Sequence, residues 1–177
     1  MKIDETADSI KKFPIRYIIY SIVALILSLV QIQFIDLIAI EGIKPDLLLI
    51  LCVWIALAEG QFLGLFWAFG IGLLFDMVSA DVPGTNALAK VVAAFVAGYF
   101  FKPTNLKNNL STFRFVLISL LSAFVHNIIY FLIYIKPGEL DFVTFFLRYG
   151  IAATFYTDVI STLAILVRIP QKEIDID

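Results

Sequence analysis

Charged side chains within long apolar segments are the first candidates for chemistry in this sequence. A charge at membrane depth is costly, so such a residue normally faces the interior of a helix bundle and pairs there. Asp76 ends one apolar segment, and Asn86 and Lys90 lie one helical turn apart at the start of the next. We therefore expect Lys90 to pair with Asp76 and to fasten two neighbouring helices, rather than to catalyse a reaction.

A second group of polar residues follows one face of a later segment. Ser119, Ser122, His126 and Tyr130 are spaced by three, four and four residues, which places them on one side of a helix. A histidine can carry a proton or bind a metal. His126 is the only histidine, however, and the only cysteine, Cys52, shares no motif with it. We expect a hydrogen-bonded histidine in the core.

The last apolar segment adds two more charges. Arg148 lies near its start and Asp158 lies deeper in the segment. No basic residue lies at helical spacing from Asp158 on its own segment, so it is expected to meet His126, a hydroxyl group or a partner protein. The sequence contains no phosphate-binding glycine loop, zinc-protease helix or nucleophile elbow, so it signals no catalytic residue, metal or cofactor.

The elements that position these residues are apolar helices. Hydrophobic residues make up 61% of the chain and charged residues 16%, against about 25% charged in an average soluble domain. A membrane-spanning helix takes about 20 apolar residues. Six segments are expected to cross a membrane, approximately over residues 13–35, 45–58, 61–78, 84–101, 113–135 and 142–167. The predicted fold class is an all-α integral membrane protein, a six-helix bundle in which residues 1–177 form one transmembrane domain.

The basic residues indicate how the bundle is oriented, because Lys and Arg accumulate on the cytoplasmic side. Of the 13 basic residues, Lys44 and Lys136 lie in outer loops, and Lys90 and Arg148 lie within segments. The others fall in the cytoplasm if both termini are inside, with residues 1–12 and 170–177 as short cytoplasmic tails. A five-helix version is disfavoured, whereas a version in which segments two and three dip in and return stays open. The charges mark topology, so nucleic-acid binding has no support.

Turn-forming and small residues indicate where the helices begin and pack. Pro45 before Asp46 is typical of a helix start, because proline fits the first turn and the helix dipole favours a carboxylate there. Residues 59–61 are expected to form a tight cytoplasmic turn. Small residues let neighbouring helices approach closely. The residues expected to allow such packing are Gly60, Gly64, Ala68, Gly72, Pro45 and Gly84.

Four stretches, at residues 44–49, 59–64, 70–76 and 83–88, combine Pro-Asp-Leu before one segment with a glycine-rich segment that ends in aspartate. In this pattern the chain resembles the bacterial rod shape-determining protein MreD family. The resemblance is concentrated in residues 44–100, and the rest of the chain matches in size and hydropathy. It implies a non-enzymatic, multi-pass scaffold of the cell-elongation complex in the bacterial inner membrane.

The resemblance also implies partners. Members of the family act with the bitopic protein MreC, the actin-like filament MreB, and the glycan polymerase and transpeptidase that build the lateral peptidoglycan wall. We expect the chain to dock the transmembrane helix of an MreC-like partner. The candidate partner-docking or intramembrane polar residues are Asp76, Asn86, Lys90, His126, Arg148 and Asp158. Lipid binding and homo-oligomerisation stay open.

A rival function follows from the same resemblance, since the family's fold is similar to the substrate-binding subunits of energy-coupling-factor vitamin transporters. A solute-binding subunit would need a cavity with convergent polar groups, for which Arg148, His126 and Asp158 are the candidates. Those subunits dock on their transporter through small residues in the first helix. Ala24 and Ser28 are only a weak version of that pattern.

Overall fold

The computed structural model describes residues 3–79, 82–104, 110–134 and 142–166. Within these ranges the protein is helical, apart from turns and one isolated bridge between Ile40 and Ile43. The helices are α1 (Ile3–Gln33), a 3-10 turn (Ile35–Ile38), α2 (Leu47–Glu59), α3 (Gln61–Ser79), α4 (Thr85–Tyr99), α5 (Thr112–Tyr134), α6 (Phe142–Phe145), a π-helical segment (Phe146–Gly150) and α7 (Ile151–Leu166). The prediction of an all-helical protein is confirmed over the part of the chain that is described.

Among the described residues, three helices are long and apolar enough to cross a membrane, over Ile15–Gln33, Gln61–Ser79 and Phe113–Ile133. The apolar helices α2 and α4 have only 13 and 15 residues. At 1.5 Å per residue they reach about 20 Å and 23 Å, less than the roughly 30 Å of a bilayer's hydrocarbon core. The fold is that of a helical membrane protein, and six full crossings stay a prediction.

The predicted tails are only partly described. α1 begins at Ile3, so most of residues 1–12 continues the first helix rather than forming a separate tail. An α-helix is held by hydrogen bonds between its own backbone groups, which do not require apolar side chains. α1 can therefore extend beyond the apolar segment. Residues 170–177, and the loop residues Lys107 and Lys136 that entered the orientation argument, lie outside the described ranges.

α2 is the central helix of the bundle. Leu48, Cys52 and Ile55 are completely buried, and α3 and α4 pack against α2 along its length. The helix begins at Leu47 rather than at Pro45, because Asp46 is the N-cap and its Oδ1 accepts the N–H of Leu49 at 2.8 Å. This cap satisfies one of the backbone donors that every helix start leaves open.

The glycine repeat of α3 lets two helices approach it. A Cβ atom built on Gly64 would lie 2.7 Å from Cα of Ala56 in α2. A Cβ atom built on Gly72 would lie 2.4 Å from Cα of Ala87 in α4. Neither position has room for a larger side chain, and Ala68 between them is fully buried. The repeat therefore brings α3 into backbone contact with both α2 and α4.

Two other glycines act through their backbone conformation. Gly60 alone separates α2 from α3 and has a φ of +98°, so the tight turn expected at residues 59–61 is present. Gly84 was expected to allow close helix packing, but nothing lies within 4 Å of a Cβ atom built there. Its φ of +96° shows instead that it forms the turn before α4, a conformation that glycine adopts without steric cost.

α1 is fastened to α2 at both ends of α2. Near one end, Arg16 Nη1 and Tyr20 Oη each donate to Glu59 Oε1 at 2.8 Å. Near the other end, Gln31 Nε2 donates to the carbonyl of Pro45 at 2.8 Å, and Gln31 Oε1 accepts the N–H of Leu47 at 3.0 Å. Most of the α1 surface between these points is exposed.

Candidate functional site

A buried ion pair lies where α2 and α4 begin. Lys90 is completely buried, and its Nζ donates to Asp46 Oδ2 at 2.7 Å and to Asn86 Oδ1 at 3.0 Å. The ammonium group also lies 5.4 Å from the ring centroid of Phe75, a distance at which the ring face attracts a cation. The charge of Lys90 is thus compensated within the bundle, as a buried charge requires.

Asp46 connects the ion pair to three helices. One carboxylate oxygen caps α2, the other accepts from Lys90 of α4, and the Asp46 N–H donates to Thr157 Oγ1 of α7 at 3.1 Å. The positive end of the α2 dipole further stabilises the carboxylate. A single residue therefore connects α2, α4 and α7.

The predicted ion pair between Lys90 and Asp76 is wrong. Asp76 accepts the backbone N–H groups of Gly84 at 2.8 Å, Asn86 at 3.1 Å and Ala87 at 3.3 Å. These donors belong to the first turn of α4 and to the turn before it. The first N–H groups of a helix have no acceptor within the helix. Asp76 is 1% exposed and caps the neighbouring helix, which leaves Lys90 to Asp46.

His126 lies beside the ion pair. It is 3% exposed, stacks on Tyr130 with ring centroids 6.0 Å apart, and its Nδ1 lies 3.4 Å from Asn127 Oδ1. Its Nε2 lies 3.6 Å from Asp46 Oδ2 and has no hydrogen-bond partner among the described residues. We call Asp46, Asn86, Lys90 and His126 the Asp46 cluster.

The remaining polar candidates lie elsewhere. Arg148 is exposed in the π-helical segment, 5.5 Å from the ring centroid of Tyr149. Asp158 is partly exposed and accepts the hydroxyl of Ser161 at 3.2 Å, so of its three expected partners the structure shows the hydroxyl group. Neither residue joins the Asp46 cluster. The polar face of α5, in contrast, points inward at Ser119, Ser122 and His126, as their low exposure shows.

A cavity of about 580 Å³ adjoins the Asp46 cluster. Its polar lining includes Asp46, Asn86, His126 and Asn127. Five aromatic residues also line it, namely Phe75, Tyr130, Phe131, Phe145 and Tyr149. The volume falls within the roughly 300–1,000 Å³ of small-molecule sites. Arg148 and Asp158 do not line this cavity, so the polar set suggested for a vitamin-binding subunit does not assemble.

An apolar groove of about 420 Å³ runs between α1 and α3. The residues that line this α1–α3 groove are Ser21, Ala24, Leu25, Phe66, Trp67, Gly70, Ile71 and Leu74. Ala24 and Ser28, the small residues considered for docking on a transporter, are 3% and 1% exposed. They pack into the bundle, so they do not form an exposed small-residue face.

The groups of the Asp46 cluster can form ion pairs and hydrogen bonds. No three His, Cys, Asp or Glu residues in the described part of the chain gather at distances that would hold a metal ion. Within the Asp46 cluster the two opposite charges compensate each other, and the remaining groups are an amide and an imidazole. Such a site can join helices and accept or donate hydrogen bonds.

Sequence reasoning missed three residues of this site. Asp46 was recognised as a helix start but not as the partner of Lys90, and Gln31 and Thr157 were not considered as its supports. A glutamine at the end of an apolar helix and a threonine within one are polar groups that need a partner in lipid. The sequence could therefore have indicated that these two residues form hydrogen bonds, but it could not have identified their partners.

Comparison with known proteins identifies the family of the chain. Neither curated proteins nor solved structures gave a match. The family model described as rod shape-determining protein MreD matches residues 11–168, nearly the whole chain. The match extends well beyond the stretches that first suggested the resemblance. On this basis, and with the helical membrane fold, the chain belongs to the rod shape-determining protein MreD family.

Proposed function

We propose that this protein is a non-enzymatic inner-membrane scaffold that docks the transmembrane helix of an MreC-like partner in the α1–α3 groove. Through that partner it would link lateral peptidoglycan synthesis, by a glycan polymerase and a transpeptidase, to an MreB-like filament. Membership of a rod shape-determining family supports a role in cell shape. The docking surface is argued from the groove itself.

The shape of the groove is the observation that carries the proposal. Ser21 of α1 and Gly70 of α3 both line it, and a Cβ atom built on Gly70 meets nothing within 4 Å. Small residues on both walls leave a channel into which side chains of another helix fit. Association of helices in lipid depends on such close packing, because lipid tails are as apolar as the side chains that they would leave.

The surroundings of the groove favour a helix as its occupant. Phe62, Phe66 and Phe69 of α3 are more than half exposed, as are most outward residues of α1. Their apolar surface continues the groove along both helices, so a docked helix would be supported over several turns. A single-pass partner offers one such helix.

Filling the groove tests the proposal. Gly70→Leu should abolish co-purification of the MreC-like partner from native lipid, because the new side chain occupies the channel. The matched control is Ala164→Leu, which places the same side chain on an exposed position of α7. Undiminished recovery of the partner with Gly70→Leu, or equal loss with both variants, would rule out the α1–α3 groove.

Cross-linking gives a second and independent readout. The only cysteine, Cys52, is completely buried, so a cysteine introduced at Ser21 would be the accessible one. Ser21→Cys should form a cross-link to a cysteine in the partner's transmembrane helix, whereas Ala164→Cys should not. Cross-linking at Ala164 alone would move the docking surface to α7.

A further inference from the structure

The cavity beside the Asp46 cluster has a polar wall whose acceptors are not all used. Asp46 lies between two buried side chains, Lys90 and His126, yet its own side chain is 20% exposed. Its oxygens accept from Leu49 N and Lys90 Nζ. An ionised carboxylate has about four acceptor positions. Asp46 can therefore accept further hydrogen bonds from a molecule in the cavity.

The hydrogen bonds around Asn127 fix which nitrogen of His126 is the acceptor. Thr154 Oγ1 donates its hydrogen to the carbonyl of Gly150, so it must accept from Asn127 Nδ2, which lies 2.8 Å away. The amide nitrogen of Asn127 thus faces α7, and its oxygen faces His126 Nδ1. In the neutral ring Nδ1 then carries the hydrogen, and Nε2 carries the lone pair.

Two acceptors consequently face each other. His126 Nε2 lies 3.6 Å from Asp46 Oδ2, and this nitrogen has no hydrogen-bond partner among the described residues. A buried acceptor without a donor is costly. A group that brings N–H or O–H donors to this pair would remove that cost, whereas a second anion would add to it.

The buried lysine at this cavity is already paired, so it does not call for an anionic ligand. Lys90 is compensated by Asp46 and also donates to Asn86. Lys44, another residue of the cavity wall, forms an ion pair with Asp36. Asp46 and His126 therefore offer acceptors, and five aromatic rings that also line the cavity are suited to the carbon skeleton of a ligand or to an ammonium group.

We propose that this cavity binds the hydroxyl- or primary-amine-bearing end of a ligand, which donates hydrogen bonds to Asp46 and His126. The carbon skeleton of that ligand lies against the rings of Phe75, Tyr130 and Tyr149. Two sources have this chemistry, the head group of a phospholipid and a small free polyol or amine. The site is independent of the α1–α3 groove and of the partner proposed for it.

The single histidine makes the proposal testable on the unmodified protein. With ¹⁵N-histidine labelling, the only imidazole signals come from His126. The protein is placed in nanodiscs of phosphatidylcholine, whose head group carries no N–H or O–H donor. Phosphatidylethanolamine, phosphatidylglycerol, free ethanolamine and free glycerol are then added in separate samples.

We expect the Nε2 signal of His126 to move when a donor-bearing probe is added. Movement with the two lipids alone identifies a head-group site, and movement with the free molecules identifies a solute site. Either result supports the proposal. An unchanged signal with every probe overturns it, as does an equal response to added phosphatidylcholine.

Retention in native mass spectrometry gives the affinity. One or two hydrogen bonds to a charged acceptor should favour the donor-bearing probe over phosphatidylcholine by about tenfold. His126→Phe keeps an aromatic ring against Tyr130 and removes the nitrogen, so it should reduce this preference severalfold. Tyr99→Phe, at a position 77% exposed on α4, should leave it unchanged. A preference that survives His126→Phe would exclude His126 from the site.

Discussion

α1 and α2 are both apolar helices, yet they occupy opposite environments. Only 11% of the Ile15–Gln33 segment is buried in the bundle, against 28% for Gln61–Ser79 and 33% for Phe113–Ile133. In α2, Leu48, Cys52 and Ile55 are completely buried. Hydropathy does not separate these two cases, because lipid tails and a protein core are equally apolar. The difference comes from polar anchors and from small residues on the neighbouring helix.

Those anchors differ in kind. α2 begins at a buried ion pair and lies against a glycine of α3, whereas α1 meets the bundle through Arg16, Tyr20 and Gln31 near the ends of α2. α2 should therefore depend on a few irreplaceable contacts, and α1 should tolerate change. Three substitutions test that contrast.

The largest effect is expected from Lys90→Met. Removing one partner of a buried ion pair leaves Asp46 uncompensated and costs about 3–5 kcal/mol. The free energy of unfolding in bicelles measures the loss. Adding Asp46→Asn should recover most of it, since asparagine caps a helix about as well as aspartate.

A second double variant tests which of the two aspartates, Asp46 or Asp76, is the partner of Lys90. Adding Asp76→Asn to Lys90→Met should recover nothing, because Asp76 accepts backbone N–H groups of the α4 start and not Lys90. Recovery by Asp76→Asn with none by Asp46→Asn would restore the originally expected Lys90–Asp76 pair.

Gly64→Ala is expected to have the next largest effect. Its Cβ atom would lie 2.7 Å from both Cα and Cβ of Ala56, so α3 must move away from α2, at a cost of about 1–3 kcal/mol. Gly70→Ala on the same helix is the matched control, because nothing lies within 4 Å of its Cβ position. Thermal unfolding midpoints compare the two variants, and equal midpoints would contradict a tight α2–α3 contact.

Tyr20→Phe is expected to have the smallest effect. It removes one hydrogen bond to Glu59 and keeps the ring that packs edge-on against Trp67 with centroids 5.6 Å apart. The expected loss is about 0.5–1.5 kcal/mol, and it should be confined to α1. Hydrogen exchange resolved by helix would show faster exchange in α1 and unchanged protection in α2. Faster exchange in α2 would mean that α1 supports the core.

Much of the local structure could be predicted from the sequence. The helix start near Asp46, the turn at Gly60 and the close approach at Gly64 each depend on a short stretch of sequence or on the size of one residue. The role of Gly84 was predicted wrongly, because a glycine needed for a positive φ and one needed for helix packing look the same in a sequence.

The partner of Lys90 could not be predicted in this way. Asp76 and Asp46 are both carboxylates next to the same end of α4, and proximity along the chain favoured Asp76. The tertiary structure decides between them. Asp76, at the end of α3, accepts backbone N–H groups at the start of α4. Asp46, the N-cap of α2, lies within hydrogen-bond distance of Lys90 Nζ. The same reasoning applies to His126, which meets Asp46 from a third helix.

The sequence by itself thus determined the class of protein, its helical character, its family and the tight turn at Gly60, because these depend on composition, periodicity and local backbone preference. Only the tertiary structure decided which polar groups meet, which apolar faces are buried and where the cavity and the groove lie. In a chain this apolar, the side of a helix that faces lipid and the side that faces the core are both mostly apolar in sequence. Which side is buried is decided by the packing of the helices, to which a few small and charged residues contribute.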